Sequence, residues 1–169
     1  ILAVVRKKTH SLDRVLSDSS FILFLDSLQD PGNLGTVVRT LEALGGGGAV
    51  VAGGVDPCNP KVVRGAMGSL FRLPVVKLGL EAALRGLRAQ GRRIYVADAG
   101  GALAPWEAEL GRGAAIVIGN EGAGPSPLSR READGVVSIP MVGPTESLNA
   151  GVAASLLLYE ALRQRLCRA

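Results

Sequence analysis

The sequence predicts an α/β fold in which a parallel sheet carries helices on both faces. Two observations support this. Short apolar runs rich in β-branched residues (FILFL, AVVA, RIYVA, AAIVI) alternate with segments of helical periodicity. The runs also lack the in-out alternation of a half-exposed strand, as expected where both sheet faces are covered. A length of 169 residues suits one domain, and the 47% apolar and 20% charged content supports a buried core.

Taken in order, residues 2–5 read as a strand and the polar stretch THSLDRVLSDSS, residues 9–20, as a connector. FILFL, residues 21–25, is the next strand. Pro31-Gly32 then fits a type II turn, Asn33 suits a cap, and a helix spans 34–44 with Gly45 after Leu44 as its stop. The four-glycine run 45–48 is a loop before a strand at 49–52. Asn59-Pro60 places a capping side chain before a proline at the first helical position, opening a helix over 60–70. Strands follow at 74–77, 93–97, 114–118 and 136–139, and helices at 80–90, 126–133 and 147–167. The last helix carries Leu148, Val152, Leu156, Tyr159, Leu162 and Leu166 at three- to four-residue spacing, an apolar stripe that needs the sheet or a second subunit.

Composition narrows the function. The apolar stretches are too short to span a membrane. Cys58, Cys167 and the single His10 build neither a disulfide framework nor a zinc cluster, so no metal is expected and a reducing, cytoplasmic compartment is the default. The net charge of +4 is mostly arginine, which suits phosphate recognition, although Arg92-Arg93, Arg130-Arg131 and Arg163 to Arg168 also fit solvated helix ends. Aromatic residues make up 4%, too few for a base-stacking platform.

Ligands of an open parallel sheet bind beyond the carboxyl ends of its strands, which directs attention to the loops there. The loop after AAIVI, Gly119-Asn120-Glu121-Gly122-Ala123-Gly124, has the spacing G-x-x-G-x-G, neither a dinucleotide fingerprint nor a P-loop. An acid in its centre also conflicts with an anion cradle. After FILFL comes DSLQDPGNLGTVVRT, where Arg39 lies between apolar Val38 and apolar Leu41 and must reach water or an anion. After VVSIP comes MVGPTESLN, with Ser147 suited to cap the last helix and Asn149 in its first turn.

The combination DSLQDPGNLGTVVRT, IVIGNEGAG and VSIPMVGPTESLNAGVAAS resembles, in order and spacing, the three motifs of the SpoU (TrmH-type) RNA ribose 2'-O-methyltransferases, over residues 20–165. NPKVVRGAMGSLFRLPV, residues 59–75, is similar to the same family, whose members often carry Ser where this chain has Ala66. The resemblance implies a SPOUT fold with a C-terminal trefoil knot, S-adenosyl-L-methionine as cofactor, an RNA substrate and a homodimer. It implies cofactor binding at Gly119, Ile139, Met141, Leu148 and Asn149, and a catalytic set of Asn33, Arg39, Glu121, Ser147 and Asn149. Residues 1–20 resemble the linker that follows an RNA-binding domain in larger members, leaving 21–169 as the catalytic domain.

The implied reaction is in-line attack of a ribose 2'-hydroxyl on a sulfonium methyl. Arg39 would anchor the target phosphate and stabilise the developing alkoxide, its other possible role being the base. Asn33 and Asn149 would orient the ribose or Arg39, Glu121 would hold Arg39 or neighbouring N–H groups, and Ser147 would shape the pocket. Ribosomal RNA is the expected substrate and transfer RNA the alternative. A dinucleotide oxidoreductase lacks its fingerprint here; a non-catalytic RNA-binding module is the other competing class.

Overall fold

β1 (Ile22–Asp26) sits inside a six-stranded, wholly parallel sheet of order β3-β2-β1-β5-β4-β6. The other strands are β2 (Ala49–Ala52), β3 (Val75–Lys77), β4 (Ile94–Ala97), β5 (Ala115–Ile118) and β6 (Gly135–Val137). The helices are α1 (Leu12–Leu16), α2 (Pro31–Ala43), α3 (Pro60–Gly65), α4 (Leu80–Ala89), α5 (Pro127–Arg131) and α6 (Ala150–Cys167). A computed structural model describes residues 4–17 and 20–167.

Both sheet faces are buried, and the two-residue side-chain period of β1 divides the core. Leu23 and Leu25 turn toward α2 and α6, where they meet Leu34, Val38 and Leu158. Ile22 and Phe24 turn the other way, toward Val15 of α1 and Leu84 and Leu87 of α4. Complete burial of side chains this size stabilises the fold by about 1.5–3 kcal/mol each, which explains why no polar residue interrupts the strand before Asp26. No helix among the described residues is long and apolar enough to cross a membrane.

The expected strands from 21 to 139 are present within two residues of their expected ends. Residues 4 and 5 form no strand, and 2 and 3 lie outside the described residues. The stretch read as a polar connector instead holds α1, because Ser11 accepts a hydrogen bond from the Arg14 N–H and Val15 and Leu16 reach the core. Arg92, itself buried, donates to the carbonyls of Leu16 and Ser20 at 2.9 Å each and fixes α1 to the body.

α2 begins earlier than the turn reading allowed. Asp30 accepts from the N–H groups of Gly32 and Asn33, so Pro31 takes the first helical position and Asp30, not Asn33, is the cap. The helix expected over 60–70 stops at Gly65, because Met67 (φ 49°) and Gly68 (φ 89°) turn left-handed before a 3-10 turn at Ser69–Phe71. Similarly, α6 opens at Ala150, and it is Asn149 that accepts from Gly151 N–H and Val152 N–H, not Ser147.

α2 and α3 cross where Gly35 faces Gly65, and a Cβ on Gly35 would lie 3.0 Å from Gly65 backbone atoms. Buried Ala66 continues this small-residue seam. Gly35→Val is expected to destabilise the fold by about 1–3 kcal/mol through overpacking, read as a lower denaturant midpoint at unchanged m.

Candidate functional site

The order of strands reverses between β1 and β5, so the loops that follow them diverge and leave a crevice at the carboxyl edge. The loop after β5 turns back at Gly119, where a Cβ would collide with the nitrogen of Pro125. Asn120 then organises the turn. Its backbone pairs with Gly124 in both directions, its Oδ1 accepts from Gly122 N–H (3.0 Å) and Ala123 N–H (2.9 Å), and its Nδ2 donates to the Ser27 carbonyl at 3.0 Å. The inward N–H groups of the loop are therefore already engaged, and an anion cradle is not what this loop forms.

Glu121 reaches across the crevice. Its carboxylate accepts from the Gln29 N–H at 3.0 Å, the Asp30 N–H at 2.9 Å and Asn33 Nδ2 at 3.0 Å. Burial pushes the carboxyl up, but the bonds from Asn33, Gln29 and Asp30 outweigh it and hold the acid below its ordinary value. The expected partnership with Arg39 is not made within the chain; Arg39 is exposed on α2 and has no hydrogen bond or ion pair with the described residues. The alternative expectation, contact with neighbouring N–H groups, describes what Glu121 does.

Asn33 is buried, and its Oδ1 lies beside Gly151, as does Oδ1 of Asn149. A Cβ on Gly151 would approach those oxygens to 3.2 and 3.1 Å, so a glycine there lets the two asparagines converge on the start of α6. Below them, the buried carboxylate of Asp26 accepts from Ser126 N–H (2.8 Å) and Ser129 Oγ (2.7 Å), tying α5 to the end of β1.

A cleft of about 380 Å³ opens beside this cluster, within the range of small-molecule sites. Gly119, Ile139, Met141 and Leu148, expected at a cofactor, line it together with Glu121 and Ser147. Asn33, Arg39 and Asn149 lie outside its lining, the first and last joined to it through Glu121 and the start of α6. Sequence reasoning missed Asn120, Asp26 and a wall ion pair between Asp98 and Arg130. Asp26 and Asp98 each directly follow an apolar strand run, which is the signal that marks them. Among the described residues no group of His, Cys, Asp or Glu gathers as metal ligands.

These features define a parallel α/β domain with a small-molecule cleft at a switch point. The model of the SpoU rRNA methylase family matches residues 20–159, and the chain belongs to that family. It is 38% identical over 174 residues to a 23S rRNA (uridine(2479)-2'-O)-methyltransferase of Streptomyces viridochromogenes, covering 98% of this chain and 61% of the relative. It is also 38% identical over 155 residues to a 23S rRNA (guanosine(2553)-2'-O)-methyltransferase of Bacillus subtilis (strain 168), covering 89% and 61%. The solved structure of the SpoU methyltransferase AviRb from Streptomyces viridochromogenes in complex with the cofactor AdoMet superposes with a TM-score of 0.84 at 38% identity, over 92% of this chain and 62% of that one. The chain thus spans about three fifths of the length of these relatives.

The lowered pKa of Glu121 sets a pH dependence. Stabilisation from its carboxylate is complete above the ordinary value of 4.5 and is lost as pH falls through the lower folded value. The stability difference between wild type and Glu121→Gln is expected to narrow as pH drops below that range, measured by denaturant titration at a series of pH values.

Proposed function

We propose that this protein is an S-adenosyl-L-methionine-dependent methyltransferase that modifies a ribose 2'-hydroxyl of ribosomal RNA in the cytoplasm. The observation that carries this reading is the juxtaposition of the cleft with the Asn33–Glu121–Asn149 cluster at the β1/β5 switch point. The residues present fit the cofactor. Ile139, Met141 and Leu148 offer apolar surface to an adenosine, and Gly119 allows close backbone approach. Asp98 and Arg130 place one charge of each sign in the wall, in keeping with a zwitterionic tail, while the engaged loop N–H groups disfavour a pyrophosphate. The ribosomal substrate follows the curated relatives.

When bound, the cofactor supplies an electrophilic methyl group on a sulfonium. The chain's own residues then have to hold a ribose hydroxyl in line and manage its proton. Asn33, its amide fixed by Glu121, presents a rigid polar group near the reaction edge, and Asn149 performs the same service from the start of α6. Arg39 is a permanent cation with a free fork of donors, suited to bind the phosphate of the target nucleotide and to stabilise the alkoxide as it forms. Ser147 shapes the mouth of the cleft.

The trefoil knot belongs to this reading. β6 lies beyond β4 at the sheet edge while α6 packs on α2 and β5, so residues 138–149 return past the β5 loop. The homodimer belongs to it as well, supported by Val152, Leu156 and Tyr159, which form an exposed apolar row on α6.

Methyl transfer from labelled cofactor to ribosomal RNA, with the modified ribose mapped, tests the activity; absence of any labelled ribose overturns it. Arg39→Ala is expected to lower that transfer at least about a hundredfold while calorimetry shows unchanged cofactor affinity. Leu156→Asp is expected to convert a dimer to a monomer in analytical ultracentrifugation, since burying an unpaired charge in such a contact costs several kcal/mol, of order 3–5.

A further inference from the structure

A second cleft, of about 670 Å³, lies between residues 5–10 and the edge strand β3. Its charge is concentrated and mainly positive. Lys7, Lys8 and Lys77 line it, which is three of the chain's four lysines, together with Arg6. The remaining lysine, Lys61, lies in the first turn of α3, the helix that contributes Val63 to the same lining. One carboxylate is present, Asp56, and it is already engaged, accepting the Cys58 N–H at 2.7 Å. That bond, and after it the nearby ammonium groups of Lys7 and Lys77, hold Asp56 below the usual carboxylate value against the opposing effect of burial.

The floor is apolar, built from Val63, Leu70, Val75 and Val76, and exposed Phe71 stands at its rim. Phe71 is the one phenylalanine on the surface, since Phe21 and Phe24 are buried. Cations around an apolar floor with one accessible ring match an anionic chain bearing flat apolar groups. Single-stranded RNA has that chemistry: phosphates for the lysines and a base face for the ring.

Position supports the same occupant. Asp56 to Cys58 follow β2 and Lys77 ends β3, so the cleft opens on the carboxyl edge of the sheet, as the candidate active site does. The loop after β2 rests on the loop after β1, Val55 N–H donating to the Leu28 carbonyl at 2.8 Å. The next residues, Gln29 and Asp30, are those Glu121 holds. The two clefts therefore flank one continuous edge.

We propose that the Lys7–Lys8–Lys77 cleft binds the single-stranded RNA that flanks the target nucleotide, holding its phosphates on the lysines and a base on Phe71. This rests on the RNA methyltransferase reading, and the two fail separately. The test is fluorescence polarisation of the 169-residue chain with a labelled single-stranded RNA of about 16 nucleotides, titrated across salt concentrations. Replacing Lys7, Lys8 and Lys77 together by alanine should reduce the slope of log affinity against log salt by about 2, about 0.7 for each phosphate that is no longer neutralised. Phe71→Ala should weaken binding about fivefold to a hundredfold without changing that slope. All four side chains are exposed, and cofactor affinity by calorimetry should be unchanged in both variants.

Unchanged affinity and slope in the triple variant would overturn the proposal. So would absence of RNA binding by the wild type, or lysine variants that alter only self-association, which would make the cleft a contact between copies. Lysine-dependent RNA binding without methyl transfer would keep the cleft and remove the enzymatic reading.

Discussion

The carboxylate of Glu121 is the contact on which the candidate site depends. At the switch point the chains leaving β1 and β5 have no ladder to hold them together, and a crevice widens where the strands end. Glu121 closes that gap by accepting from two backbone N–H groups and the Asn33 amide. Bonds to an ionised acceptor are about twice as strong as neutral ones. Of the three donors only Asn33 is buried, and leaving its amide stranded costs about 1–3 kcal/mol. The loop carrying the cleft wall is thus tied to the start of α2, the helix that carries Asn33 and Arg39, while Glu121 is ionised.

Asp26 performs the complementary task at the base of the same loop. A side chain this polar and this deeply buried needs hydrogen-bond partners, and Ser126 N–H and Ser129 Oγ supply them. One acid therefore fixes the tip of the 119–125 loop and another fixes its exit into α5. Between them Asn120 closes the turn on itself. A wall fixed at both ends and at its centre is preorganised, so little conformational freedom remains to be lost when a ligand enters.

The strands were legible because burial on both faces leaves a continuous apolar signature. Helix starts were less so, and the reason is local. Asp30, Asn33, Ser147 and Asn149 all have side chains able to cap, and which one does depends on where the backbone is brought by packing: Gly35 against Gly65 for α2, Gly151 beside the two asparagines for α6. The resemblance named candidate residues, of which Gly119, Glu121, Ile139, Met141, Ser147 and Leu148 line one cleft while Arg39 stands apart from it. Their partners were not. Nothing in the spacing of Glu121 says whether it meets an arginine on the next helix or N–H groups before it, because that choice is set by a contact between residues ninety-one positions apart. α1 was missed for a similar reason: its short amphipathic face acquires meaning only when Arg92 holds its end.

α6 shows where periodicity alone reaches its limit. The helix is apolar nearly all round, so its sequence offers two stripes and no means to rank them. Packing selects Ala154, Leu157, Leu158 and Ala161 for the core, leaving Val152, Leu156 and Tyr159 outward. An outward apolar row on a helix whose inner face is already satisfied has no intramolecular purpose. Leu148, which lines the cleft, stands two residues before α6 opens and four before Val152, so the row starts close in the chain to the mouth of the site. In the proposed dimer a partner seated on α6 would come near the cleft, removing water from its rim and strengthening the electrostatic contacts inside it. Association and catalysis would then be linked through the same helix, with the capped start of α6 at Asn149 as the shared boundary.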